Sequence, residues 1–407
     1  MKNSTTNQTQ YVSPNLTNSP SPSTSHIPPI PIPALTIPRT LCAVGAINSL
    51  PLELEHLSIR RPLLVTDRGL MAVGVPSLVS KACGDTVTVV LFDQVTENPL
   101  YSDVQAGAAS YSIHACDGVI AVGGGSVIDT AKMIALLATN GGTVSDYAGR
   151  PNVKHGRSAP LIVIPTTAGT GSEASPSAGI HPDAVTASVG LNSRHLVPQL
   201  ALLDPELTVS LPPKLTAATG IDALSHCIEG YLSLKDQPLG KAIALDGIRR
   251  VVNHLPRAVA NGHDLQARQE MMLAAFAGGV SIGMGLGPAH AIAITCSDQS
   301  FHHGILSGIG LIATLDATTA HHPNLMRPVS EAFGLAPGIS LAKAIENLMG
   351  DLDLPTSLAQ LGYIANDIVS LSLAAERSYF NFFAPFKPNA AQYAEYFTES
   401  LHSKTNP

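Results

Sequence analysis

Residues 117–132 read D-G-V-I-A-V-G-G-G-S-V-I-D-T-A-K. The apolar, β-branched run ending at Val122 has the composition of a strand buried on both faces. Gly123, Gly124 and Gly125 then permit a sharp turn, and apolar spacing predicts a helix over 126–139. Such a strand–turn–helix unit leaves free backbone N–H groups and the positive end of a helix dipole where a phosphate can sit. Three glycines also occur in turns that bind nothing, so the flanking strand and helix carry the weight of this reading.

Outward from this stretch the pattern repeats. Apolar runs at 62–67, 86–92 and 160–165 read as further strands, and the alanine-rich stretch 101–114 reads as a helix. Short buried strands alternating with helices imply a mostly parallel sheet covered on both faces. Near Asp204-Pro205 the character changes, and beyond Pro212-Pro213 the β-branched runs thin out while Ala, Leu, His and Met dominate. The expected fold class is therefore α/β followed by all-α. It comprises a dinucleotide-binding α/β domain over 39–210 and a helical metal and substrate domain over 211–407. Residues 1–38, rich in Ser, Thr, Asn and Pro, are expected to form a disordered tail.

Composition narrows the function classes. The chain has 407 residues, 13% of them charged and 45% apolar, enough for a large core. A net charge of −7 with no basic cluster argues against nucleic acid as a partner. No apolar run approaches the ~20 residues of a membrane helix, and no signal-peptide core follows Lys2. Five widely spaced cysteines without a C-x-x-C fit a reducing, cytoplasmic setting better than a disulfide framework. The sequons at Asn3, Asn7 and Asn15 read as accidents of tail composition.

Several segments carry candidate chemistry. G-I-D-A-L-S-H-C-I-E-G-Y (220–231) sets Asp222 and His226 four apart, on one face of a helix. G-L-G-P-A-H (285–290) and S-F-H-H-G (300–304) supply His290, His302 and His303. A carboxylate with imidazoles suits iron or zinc, although an i, i+4 Asp/His pair alone is more often a surface contact. P-T-T-A-G-T-G (165–171) is a second small polar loop after a strand. Asp67 ends its strand, where a carboxylate can accept bonds from a ribose or simply cap a helix.

The blocks 121–132, 164–173 (I-P-T-T-A-G-T-G-S-E) and 220–231, in this order, resemble the iron-containing alcohol dehydrogenase family. The resemblance runs from about residue 40 to about 330 and more loosely to the end. It implies a dehydroquinate synthase-like fold, with a Rossmann-like domain and a helical metal-binding domain around a shared cleft. It implies Fe(2+), with Zn(2+) as the alternative, held by Asp222, His226, His290 and His303, the H-G pair selecting His303 over His302. Glu229 is a candidate for orienting one imidazole. The implied NAD contacts are Asn98, Gly124, Gly125, Ser126, Asp129, Thr166, Thr167, Thr170 and, more loosely, Leu207, with Lys132 closing the G-G-G-S-x-x-D-x-x-K motif. Asp67 matches the acid that favours NAD over NADP.

The implied reaction is hydride transfer between NAD(H) and a small alcohol, aldehyde or ketone, by a homodimer or higher oligomer. Two departures stand out. A family lysine upstream of D-P-E-L-T is Ser188 here, with Arg194 as a nearby substitute cation. The histidine that follows the third ligand in H-x-x-x-H, a proton relay, is Ile294. His302 is then the candidate catalytic residue, with Cys296, Asp298 or water as alternatives. Rival readings are a maleylacetate reductase, a hydroxyacid–oxoacid transhydrogenase, a dehydroquinate synthase-like lyase and a non-catalytic binding protein.

Overall fold

The β-branched segments pair as one six-stranded parallel sheet in the computed structural model, which describes residues 34–150 and 153–402. The strands are β1 (Arg39–Cys42), β2 (Pro62–Asp67), β3 (Val90–Val95), β4 (Gly118–Gly123), β5 (Leu161–Pro165) and, after a hairpin, β8 (Leu200–Leu203). Their spatial order is β1-β8-β5-β4-β2-β3. The hairpin joins β6 (Ser177–Ile180) and β7 (Val189–Asn192) in antiparallel register. The pleat sends alternate side chains to opposite faces. Leu63, Val119 and Val163 enter one core, and Leu64, Ile120 and Ile162 enter the other.

The structure shifts one expected strand. The run 86–92 becomes Val90–Val95, because pairing with β2 begins at Leu63↔Val90. The preceding residues lie ahead of any partner strand, and only Thr88 reaches back, donating to the Arg60 carbonyl at 3.0 Å. Strands β1 and β8 and the β6–β7 hairpin are additions to the sequence reading. Each is four residues long, too short to show a period. The expected tail falls largely on residues 1–33, outside the described residues, while 34–38 carry no helix or strand.

Beyond Pro213 the described residues form helices, chiefly Pro213–Leu232, Pro238–Ala260, Leu265–Ile282, Pro288–Thr295 and His303–His321. Every residue of the first from Thr216 to Gly230 is buried, so its neighbours wrap it on all sides. None of the described helices is long and apolar enough to cross a membrane.

One small residue sets how closely two of these helices approach. A Cβ on Gly304 would lie 2.1 Å from the Ala218 carbonyl oxygen and 2.9 Å from the Asp222 Cβ. Only a bare backbone lets the start of His303–His321 press against Pro213–Leu232, and this contact brings His303 beside Asp222. Gly304→Ala is expected to cost about 1–3 kcal/mol by overpacking and to weaken metal retention. Thermal unfolding and metal analysis check this, and a wild-type Tm with full metal content would contradict the close seating.

Candidate metal and dinucleotide site

Four predicted metal ligands meet at the centre of the helical half. Asp222 and His226 share the helix Pro213–Leu232, His290 lies in the first turn of Pro288–Thr295, and His303 opens His303–His321. Ligand atoms of Asp222, His290 and His303 all lie within 4.8 Å of one another. His226 joins them through Asp222, with Nε2 3.9 Å from Oδ1, and its ring stacks on His290 at 4.8 Å between centroids. His303 Nε2 is 4.0 Å from the same Oδ1. Asp222, His226 and His290 are buried, while His303 opens into the cleft. Burial alone would raise the Asp222 carboxyl, but His226, His303 and His290 outweigh it and hold it below the usual carboxylate range. Burial pushes His226 down to about 4 against the pull of Asp222. An ionised carboxylate thus lies beside two imidazoles, His226 and His303, that burial keeps from protonating, the state a metal ion requires of its ligands.

Glu229, one turn beyond His226, organises the cluster. Its buried Oε2 lies 2.6 Å from His290 Nδ1 and accepts from Gly287 N at 2.9 Å, while Oε1 accepts from Ala289 N at 2.7 Å. Gly287, the N-cap residue of Pro288–Thr295, has no side chain, so Glu229 satisfies the end of a helix that cannot cap itself. A carboxylate facing Nδ1 draws the ring proton there and leaves the Nε2 lone pair free. His290 Nε2 is buried and has no hydrogen-bond partner. An orphaned, buried nitrogen aimed into a carboxylate–imidazole cluster fits a resident transition metal.

The second half of the site lies at the carboxyl ends of the strands, where parallel sheets bind ligands. A cleft of about 2400 Å³ is lined there by Asp67, Asn98, Gly124, Gly125, Ser126, Asp129, Thr166, Thr167, Thr170 and Leu207, and it continues to His226, His290, His302 and His303. The helix Gly125–Asn140 begins in this cleft with no side chain capping its first turn, so its N–H groups remain available to an anion. Asp67 takes the capping role and lines the cleft as well. Its Oδ1 caps the helix Arg68–Val73 by accepting from Leu70 N at 2.9 Å, which fixes the carboxylate at the cleft wall.

Lys132 departs from its motif role. Its side chain is fully buried, Nζ donates to the carbonyls of Ser175 and Ser177 at 2.9 and 2.7 Å, and it does not line the cleft. Asp129 accepts from Ser172 Oγ and, at 2.9 Å, from Gly179 N. These two residues brace the loop 171–179 against the helix that begins at Gly125. Burial raises Asp129 and lowers Lys132 to about 8, and it pushes the nearby Glu173 up to about 7.

The two departures also find places. Ser188 lines the cleft, but Arg194 does not; Arg150 lines it instead, next to Gly149, whose N–H donates to the Gly190 carbonyl at 2.9 Å. Ile294 lines the cleft, so an apolar side chain occupies the relay position. Cys296 is fully buried with its thiol pushed up to about 12 by burial, and Asp298 accepts from the Tyr363 hydroxyl at 3.0 Å. Neither lines the main cleft. His302 does, and its Nδ1 accepts from Gly304 N at 3.1 Å, which places its ring proton on Nε2. Lys235, Phe380 and Phe383 line the cleft as well, and nothing in their sequence context marked them. Glu229→Gln is expected to weaken metal affinity by about 10–100-fold, read by competition with a chelator. Unchanged affinity would show that the carboxylate does not govern His290.

Comparisons with known proteins agree along the chain. The family described as iron-containing alcohol dehydrogenase matches residues 38–205, and its C-terminal domain matches 216–400. The chain is 38% identical to the 4-hydroxybutyrate dehydrogenase of Cupriavidus necator, over 88% of this chain and 96% of that one. It is 32% identical to the NAD-dependent methanol dehydrogenase of Bacillus methanolicus, over 82% and 91%. The NAD+ complex of sulfoacetaldehyde reductase from Bifidobacterium kashiwanohense superposes with a TM-score of 0.86 at 25% identity, covering 92% of this chain and all of that one. The chain belongs to the iron-containing alcohol dehydrogenase family and is a metal-dependent oxidoreductase that moves hydride between NAD(H) and a small alcohol or carbonyl compound.

Proposed function

We propose that Asp222, His226, His290 and His303 hold the Fe(2+) or Zn(2+) ion, and that residues 39–210 bind the dinucleotide while 211–407 bind metal and substrate. One observation carries this reading: the buried, unpaired Nε2 of His290, held by Glu229, with Asp222 and His303 within 4.8 Å. When bound, the metal supplies Lewis-acid activation of the substrate oxygen, and the nicotinamide accepts or donates the hydride.

The chain's own residues do the rest. The N–H groups of Gly125 and Ser126, reached across Gly124, hold the pyrophosphate. Thr166, Thr167, Thr170, Asn98 and Leu207 line the remainder of the dinucleotide track, and Asp129 braces it through Ser172 and Gly179. Asp67 accepts from the ribose hydroxyls and repels a 2′-phosphate, favouring NAD(H). His302 donates through Nε2 at the substrate end, its Nδ1 being tied to Gly304 N. Ile294 keeps that end free of a second titrating imidazole. The enzyme works in the cytoplasm as a homodimer or higher homo-oligomer, which cell fractionation and light scattering test.

The deciding experiment is aldehyde reduction under anaerobic, iron(II)-replete conditions, with metal analysis of His290→Ala. The variant is expected to lose its metal and at least ~100-fold in kcat/KM, since Lewis-acid activation contributes several kcal/mol. Full metal stoichiometry in that variant would remove His290 from the site. NADH should give the higher kcat/KM, and a preference for NADPH would overturn the role of Asp67.

A further inference from the structure

Lys235 follows the helix Pro213–Leu232, which carries Asp222, His226 and Glu229. It lines the same cleft, and it is half-buried. Nζ lies 4.1 Å from the centroid of the Phe383 ring and donates one bond, at 3.1 Å, to the Gly283 carbonyl. No carboxylate among the described residues forms an ion pair with it. An ammonium has three donors, and one is used here. Burial lowers its pKa with no protein charge opposing the shift. Chains seldom leave a cation partly desolvated without a counter-charge, because desolvation disfavours the charged form.

The surroundings describe what would complete it. The cleft near Lys235 is lined by Ile282, Leu286, Phe380 and Phe383. The Phe380 ring lies 5.7 Å from that of His290. An apolar, aromatic wall thus lies between His290 and Lys235. A ligand with an oxygen at one end, a short aliphatic middle and an anion at the other matches this sequence of surfaces. A single lysine, a compact point charge, suits a monoanion.

We propose that Lys235 is a specificity-determining residue that pairs with the terminal acid group of the substrate, so that the preferred substrates are short ω-hydroxy acids and their semialdehydes. The proposal rests on the reading of the cleft given above, and it narrows the substrate class within it. The Phe383 ring lies 4.1 Å from the ammonium, and the Gly283 carbonyl takes one of its donors, which leaves two for a ligand.

The test measures kcat/KM of the iron-loaded enzyme with NAD+ for 4-hydroxybutyrate and for 1,4-butanediol, its neutral counterpart. 3-Hydroxypropanoate and 5-hydroxypentanoate bracket the length, and 3-hydroxypropanesulfonate and 3-hydroxypropylphosphonate separate the acid types. In Lys235→Met, which keeps an unbranched apolar stem of similar length, the acid-to-diol ratio should fall about 10–100-fold, the usual worth of a charged hydrogen bond. Lys235→Arg should retain most of it. Binding of butyrate to the enzyme–NADH complex, by calorimetry, should weaken by a similar factor and needs no turnover. An unchanged ratio with unchanged butyrate binding overturns the proposal. So does a raised KM for NADH in Lys235→Met, because the lysine would then be reading the dinucleotide. Retained metal and diol oxidation in either case would leave the metal-dependent reading standing, whereas wild-type protein without metal or turnover would sink that reading itself.

Discussion

The site depends on one buried carboxylate. Glu229 is a helix residue with nowhere to send its charge except the backbone N–H groups at the start of Pro288–Thr295 and the Nδ1 of His290. A buried carboxylate is costly unless such partners surround it. The same bonds join two helices, replace a missing helix cap and fix which imidazole nitrogen is free. Removing the side chain would disturb fold and chemistry together. Gly287 is part of the arrangement, since a Cβ there would lie 2.8 Å from Glu229 Oε1.

The dinucleotide side is built on a parallel principle. The glycine turn leaves the first N–H groups of Gly125–Asn140 without a side-chain cap, and Lys132, the cation of the motif, turns inward instead. Lys132 from the interior and Asp129 from the cleft side hold the 171–179 loop in place, so these charges stabilise the loop beside the glycine turn. Asp204 does similar work at the carboxyl end of β8. It accepts from Gly45 N and Ile47 N and caps the turn Pro205–Thr208.

Much of this was legible in the sequence, and the reasons differ by residue. The strands ending at Asp67, Gly123 and Pro165 were readable because burial on both faces leaves continuous apolar runs. The resemblance named Asp222, His226, His290 and His303 as one set, and the structure brings them together; Glu229 was a candidate because it lies one turn from His226. Lys132 was misplaced because a motif records identity, not the direction of a side chain. Arg150 rather than Arg194 reaches the cleft because the β6–β7 hairpin, too short to show a period, decides which arginine faces inward. Lys235, Phe380 and Phe383 left no local signal, since their meeting depends on chain segments more than a hundred residues apart.

The central claim is that Glu229 fixes His290 so that its Nε2, with Asp222, His226 and His303, forms the metal site. Anomalous diffraction from crystals of the metal-loaded protein, recorded on either side of the metal's absorption edge, tests it most directly. The account expects one strong peak per chain, within bonding distance of His290 Nε2 and a carboxylate oxygen of Asp222, with Glu229 still on Nδ1. A peak elsewhere in the cleft, or one bonded to His290 through Nδ1 with Glu229 displaced, would contradict it.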